Sequence, residues 1–190
     1  MFSITSVRAA EYLNDGTIFA DVQFDDATDP DGAPVYSSVT VADSDDGPDA
    51  RLLAAIREKY PLTVPEHVLE AARRAKRAEI NRWRDEQESG DYIFQFNSHN
   101  WDYGKTTQDR MSISLAMAKR NALPEGFAWT DGDNNIVPMD NAGLIALAAA
   151  IEQAMFEKGM QINLRQLQMK AEVEALTALD DIRNYRVDWP

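Results

Sequence analysis

The segment Asp131-Gly132-Asp133-Asn134-Asn135 places oxygen-bearing side chains at alternate positions, which is how calcium loops begin. A calcium-binding EF-hand loop needs oxygen ligands at its first, third and fifth places, a glycine at the sixth and a bidentate glutamate at the twelfth. Asp131, Asp133 and Asn135 match the first three. Ile136 takes the glycine place, where a β-branched residue resists the required φ, and Ala142 takes the glutamate place. Pro138 argues further against a helix running on in register. The segment therefore reads as a turn between the strand-like stretches Phe-Ala-Trp-Thr and Asn-Ile-Val-Pro-Met. A metal site on Asp131, Asp133 and Asn135 stands as the weaker alternative, and the expectation is no metal and no cofactor.

Other residues that could do chemistry are scattered. His67 and His99 lie far apart, and no H-x-x-x-H or H-E-x-x-H spacing offers a zinc site. His99 sits in a turn beside Trp101 and Asp102; as a general base it would need a carboxylate to orient it, with Asp102 or Asp109 as candidates. Asp102 with Asp109, or Asp131 with Asp133, would be the carboxylate pairs of a glycan hydrolase, but a chain with 32 acidic residues produces near pairs by chance. There is no G-x-S-x-G elbow and no phosphate-cradling glycine loop. The expectation is a protein without catalytic activity.

The basic run Arg73-Arg74-Ala75-Lys76-Arg77, with Arg82 and Arg84, is interleaved with acids and reads as a solvated helix face. The alternative is that it docks on an acidic stretch such as Asp43-Ser-Asp-Asp-Gly-Pro-Asp49. Trp83, Trp101, Trp129 and Trp189 would stack sugars if exposed, but each lies in an apolar pattern, so core packing is the default.

Composition narrows the classes. The 190 residues are 44% hydrophobic, enough for one domain with an appendage or two small units. Acidic residues outnumber the 19 basic ones to give a formal net charge of −13, which repels phosphate backbones and disfavours nucleic-acid binding. With no cysteine there is no disulfide, thiolate metal site or cysteine nucleophile. No apolar run is long enough to span a bilayer, and the amino terminus lacks the basic and apolar regions of a secretory signal. A soluble cytoplasmic protein is expected, with no membrane partner.

These residues must be held by elements that the pattern announces. Stretches 2–10 and 17–24 alternate apolar and polar residues around the turn signal Asn14-Asp15-Gly16, and 34–42 supplies a third strand. A helix presenting Leu52, Leu53 and Ile56 should cover this meander and stop at Pro61. That sets a boundary between residues 1–62, a small N-terminal β/α unit, and 63–190. A second helix starts at a Thr63–Glu66 capping box and runs to Gly90 along Leu69, Ala72, Ile80 and Trp83, with Glu70 and Arg74 as a helical ion pair. A hairpin over 91–104 turns at Asn97-Ser98-His99-Asn100. A third helix, capped by Thr106, carries Met111, Leu115, Ala118 and Ala122 and ends at Pro124 and Gly126.

After the Asp131 turn a long helix is capped by Asp140 and stapled by Met139 and Leu144. Its stripe is Leu144, Leu147, Ile151, Met155, Ile162, Met169, Val173 and Leu176, with Gly159 as a packing point or a break. Unbroken, it would be about 50 Å long, more than one small domain needs, so part of it would pack on a partner or a second copy. A short last helix starts at Thr177 and Asp180. The fold class is thus α+β: a small N-terminal antiparallel β unit with a helix, then a mainly helical domain with two short β-hairpins.

The order of these elements from Pro65 to Trp189 resembles a domain of unknown function common in tailed-bacteriophage proteins, encoded beside tail-fibre genes. The likeness rests on the basic helix Ala71–Gln87, the aromatic hairpin Tyr92–Gly104 and the stretch Thr106–Ala118. It continues through the Trp129–Ile151 turn, strand and capped helix, and closes with Lys170–Tyr185. It implies a tail or tail-fibre component or assembly protein, in the host cytoplasm during assembly or in the virion tail. The implied partners are tail proteins and, through the long helix, further copies of the chain. The alternative function is a calcium-linked carbohydrate-binding module for host glycans. The family supplies no catalytic residues to carry over.

Overall fold

The computed structural model describes residues 3–44 and 46–190; expectations that touch Phe2 and Asp45 lie outside the described residues. The fold is α+β, as the pattern predicts: N-terminal antiparallel strands, then a mainly helical region with two short hairpins. The chain divides into two compact units, Met1–Ala75 with Leu176–Asn184, and Lys76–Ala175 with Tyr185–Pro190.

In the first unit, strands β1 (Ile4–Tyr12), β2 (Ile18–Phe24) and β3 (Ser37–Val41) form an antiparallel sheet in that order. Gly16, at φ +85°, closes the β1–β2 turn where a side chain would be strained. The inward residues Ile18, Ala20 and Val22 are fully buried, and Leu53 and Ile56 of helix α1 (Ala50–Lys59) complete their core. Gln23 departs from the alternation: it is buried, but its amide is satisfied by Ser6 Oγ at 2.9 Å and Ala27 O at 2.9 Å.

The expected boundary at residue 62 is displaced. Pro61 follows the end of α1, but the core does not end there: Leu62 packs on it, and the first turns of helix α2 (Glu66–Glu88) remain in the first unit. Arg73 in α2 donates to Leu176 O at 3.0 Å and to Glu66 Oε1 at 2.8 Å, tying the returning segment to that turn. Helix α5 (Leu179–Asn184) adds Arg183, whose Nη2 lies 2.9 Å from Asp43 Oδ2. That contact has the distance of a charge pair without hydrogen-bond geometry. Arg57 donates to the other Asp43 oxygen at 2.6 Å. Asp43 is therefore a buried anchor. The solvated-face reading of the basic run holds for Arg74 and Arg82, which are exposed, and is corrected for Arg73, Lys76 and Arg77. Arg73 is tied to residue 176, Arg77 pairs with Glu174, and the Arg73 and Lys76 side chains are nearly covered.

In the second unit, hairpin β4 (Tyr92–Phe96) and β5 (His99–Tyr103) turns through Asn97 and Ser98, both at positive φ, the geometry of a tight two-residue hairpin loop. Trp101 and Tyr103 point inward, while Ile93 is 62% exposed. Helix α3 (Lys105–Ala118) starts a residue before the expected Thr106 cap, on Gly104, with no side-chain cap. A Cβ on Gly104 would lie 3.0 Å from Gly90 O and 2.7 Å from Asp91 Oδ1, so the hairpin base and the helix start can close only on glycine. The helix also stops before Pro124. Asn121 takes the left-handed conformation, its N–H bonds to Ala118 O, and the Ala122 N–H reaches back to Met117 O. This pair of bonds is a Schellman stop, and it leaves Ala122 exposed.

Strands β6 (Ala128–Thr130) and β7 (Ile136–Pro138) pair antiparallel, and helix α4 (Asn141–Ala175) follows. Asp140 caps it through a 2.7 Å bond from Gly143 N–H. The helix passes Gly159 unbroken, so its 35 residues extend about 52 Å. Leu144, Leu147, Ala148 and Ile151 join the core around Trp101, while Ile162, Met169 and Val173 are buried farther along. Gln166, also buried, donates to Asn81 Oδ1 of α2 at 3.0 Å. The carboxy-terminal residues are pinned by Arg165 Nε on Asp188 O at 2.8 Å and by Trp189, edge-on to Trp83 at 5.1 Å.

Candidate functional site

The five residues that first suggested a metal loop form the corner between β6 and β7. Asn134, at φ +64°, makes the tight part of the turn, in a conformation asparagine tolerates better than most residues. Asp131 organises it. Its Oδ1 accepts from the backbone N–H of Asp133 at 3.0 Å and of Asn135 at 2.8 Å. Its Oδ2 accepts from the Asn135 amide at 3.2 Å and from His99 Nδ1 at 2.9 Å. A carboxylate offers about four acceptor sites, and all four are filled by protein donors.

This carboxyl is almost fully covered, at 3% exposure. Burial works against its ionisation. Burial is the largest single influence, but the backbone bond from Asn135, the bond from His99, the Asn135 side chain and the Asp133 N–H together outweigh it, and the pKa falls to about 2. Ionised, Asp131 only accepts, so the proton of the shared bond sits on His99 Nδ1.

Two more bonds weld the corner to the first hairpin. Gly132 N–H donates to Asn100 O at 2.7 Å, and Asn100 Nδ2 donates to Asp133 Oδ2 at 2.9 Å. A Cβ at Gly132 would come within 3.2 Å of both Asn100 O and Asp102 Oδ1, which explains glycine at this approach. Beside the corner lies a hollow of about 270 Å³ lined by Trp101, Asp102, Thr107, Arg110, Ala128, Trp129 and Thr130.

The partner expected for His99 is thus corrected. Neither Asp102 nor Asp109 orients it; Asp131, 32 residues away in sequence, does. Asp102 lines the hollow with Arg110, whereas Asp109 lies on the exposed side of α3 and lines another depression with Met111 and Glu152. His67 is exposed on the first turn of α2. Trp83 and Trp101 are core residues, and Trp129 and Trp189 are half-buried. Lys158 lies 4.4 Å from the ring centres of both Tyr92 and Trp189, so one cation is held by two π faces. Among the described residues, no group of three His, Cys, Asp or Glu side chains is placed to hold a metal ion.

A different feature escaped the pattern reading. On the side of α4 opposite its core stripe, Phe156, Met160, Leu164 and Leu167 are 63%, 50%, 60% and 56% exposed. Their spacing of four, four and three residues was present in the sequence as a second helical stripe. A helix apolar on two opposite faces, like this one, normally has both covered.

The molecule is therefore an α+β protein whose polar node is used to hold a corner and whose longest helix carries an uncovered apolar face. Residues 71–186 match the family described as "Domain of unknown function (DUF4376)"; this is more than half of the chain, and the chain belongs to that family. No curated protein and no solved structure matches it. Among the described residues no helix is long and apolar enough to cross a membrane.

Proposed function

We propose that this protein is a bacteriophage tail or tail-fibre component or assembly protein that works by binding other proteins, without catalysis. The observation that carries the binding mode is the exposed row Phe156, Met160, Leu164 and Leu167, since apolar patches of this kind mark protein contacts. The phage context is supported by the resemblance in element order over Pro65–Trp189, a stretch that overlaps the family match at 71–186. The filled acceptor sites of Asp131 favour binding over chemistry at the corner, because no lone pair is left for a metal or a substrate proton.

The test is co-expression with a tail-fibre protein found in the same gene cluster, if the cluster encodes one, followed by affinity capture and light scattering. A stoichiometric complex, or a fibre protein kept soluble by this chain, is expected. Two partners that migrate separately, with fibre solubility unchanged, would defeat the proposal. A mass spectrum of purified particles then separates a virion subunit from an assembly factor.

Glycan binding is the second reading, favoured by the hollow that joins Trp129 with the charged and hydroxyl groups of Asp102, Arg110 and Thr107. Calcium is not expected to take part. Adding millimolar calcium, or a chelator, should leave the melting temperature unchanged, because a ligand bound only by the folded state would raise it. A calcium-dependent rise abolished by Asp133→Asn would reverse this conclusion.

A further inference from the structure

The exposed row on α4 is longer than its four largest members. Positions 145, 149, 153, 156, 160, 164, 167, 171 and 175 follow a repeating four-four-three spacing, an eleven-residue period that keeps a stripe nearly straight along a helix. They hold Ile145, Ala149, Gln153, Phe156, Met160, Leu164, Leu167, Ala171 and Ala175, and every one is exposed. The only polar member, Gln153, donates its amide to Glu157 Oε1 at 2.6 Å on the same helix. The seam extends about 45 Å.

We infer that this seam is the interface of a homodimer in which α4 packs antiparallel against α4 of a second copy, with the two-fold axis at Met160. Three observations select that occupant. The spacing is a palindrome about residue 160: 156 mirrors 164, 153 mirrors 167, 149 mirrors 171 and 145 mirrors 175. An antiparallel copy therefore meets the seam at every position, and Phe156 faces Leu164 of the second copy.

The flanks are complementary in charge. Glu152 and Lys170 lie on the same side of the seam, each about 80° from Met160 around the helix. An antiparallel two-fold at Met160 brings each Glu152 level with Lys170 of the second copy to within about 3 Å along the axis, twice by symmetry. In a parallel pair those two residues would be about 27 Å apart along the axis. The area also suffices. Five large side chains, each exposing on the order of 100 Å², offer about 500 Å² per copy, so the pair buries about 1,000 Å² in total, the lower bound for specific association. The inference stands independently of the phage reading.

The chain contains no cysteine, so single cysteines report the geometry without interference. Light scattering on the size-exclusion column should give a dimer at micromolar concentration. Leu164→Glu, at an exposed position, should weaken association at least tenfold while its circular dichroism and melting match the parent. Met160→Cys should cross-link to itself, and a mixture of Phe156→Cys and Leu164→Cys chains should cross-link to each other. Glu152→Lys should weaken the dimer several-fold, and adding Lys170→Glu should restore it. A monomer at about 100 µM, a dimer indifferent to Leu164→Glu, or Phe156→Cys linking to itself in a parallel pair would each overturn the proposal.

Discussion

Truncating Trp101 to alanine is expected to destabilise the second unit by about 3–5 kcal/mol, the range for removing a large buried aromatic. Trp101 is 2% exposed at the centre of the core formed with Tyr103, Met111, Leu144, Leu147 and Ile151. Its indole N–H donates to Phe96 O across the hairpin at 2.9 Å, so the substitution leaves both a cavity and a carbonyl without its partner. For a chain of this length such a loss lowers the melting temperature by on the order of 10 °C. Trp101→Phe separates the contributions: it keeps most of the ring volume, loses the hydrogen bond, and should cost about 1–2 kcal/mol. Urea melts followed by near-ultraviolet circular dichroism measure both. A change below about 1 kcal/mol for alanine would mean that the hairpin is not seated in this core.

Replacing Asp131 should be the other large effect, and it should depend on pH. Asp131→Ala strands the backbone N–H groups of Asp133 and Asn135 and releases His99 from the corner. A fall in melting temperature on the order of 5–10 °C is expected near neutral pH. Asp131→Asn keeps an oxygen for the two backbone donors and should fall by less.

The folded-state pKa, about 2, lies below the ordinary aspartate value of 3.8, so ionised Asp131 favours the folded chain. That contribution is complete above about pH 4 and disappears as the pH falls through about 2. Parent and Asp131→Asn melting temperatures should therefore converge between pH 4 and pH 2. A gap that stays constant over that interval would show that the hydrogen bonds to Asp131 do not favour its ionised form.

The apparent metal loop shows how far local pattern reaches. Ile136 and Ala142, in place of the glycine and glutamate of a calcium loop, already argued for a corner between two strands. They could not disclose that Asp131 is buried, because its burial depends on His99 and Asn100 arriving from a hairpin about 30 residues earlier in the chain. For the same reason the carboxylate partner of His99 was sought among near neighbours, Asp102 and Asp109, and found elsewhere. The basic run of α2 behaved alike: Arg73 and Arg77 looked solvated until residues 174 and 176, a hundred positions away, came beside them.

The sequence by itself determined the elements whose causes are local: the Gly16 turn, the alternation of Ile18, Ala20 and Val22, the Asp140 cap, and the core stripe from Leu144 to Val173. Period, capping and turn chemistry act within a few residues, so they are readable one segment at a time. The tertiary structure alone decided where the compact units divide, which acids hold which bases, and that the four-four-three seam of α4 remains uncovered. Each of these depends on groups distant in the chain meeting in space, and a one-dimensional pattern carries the period of an apolar face but not the identity of what covers it.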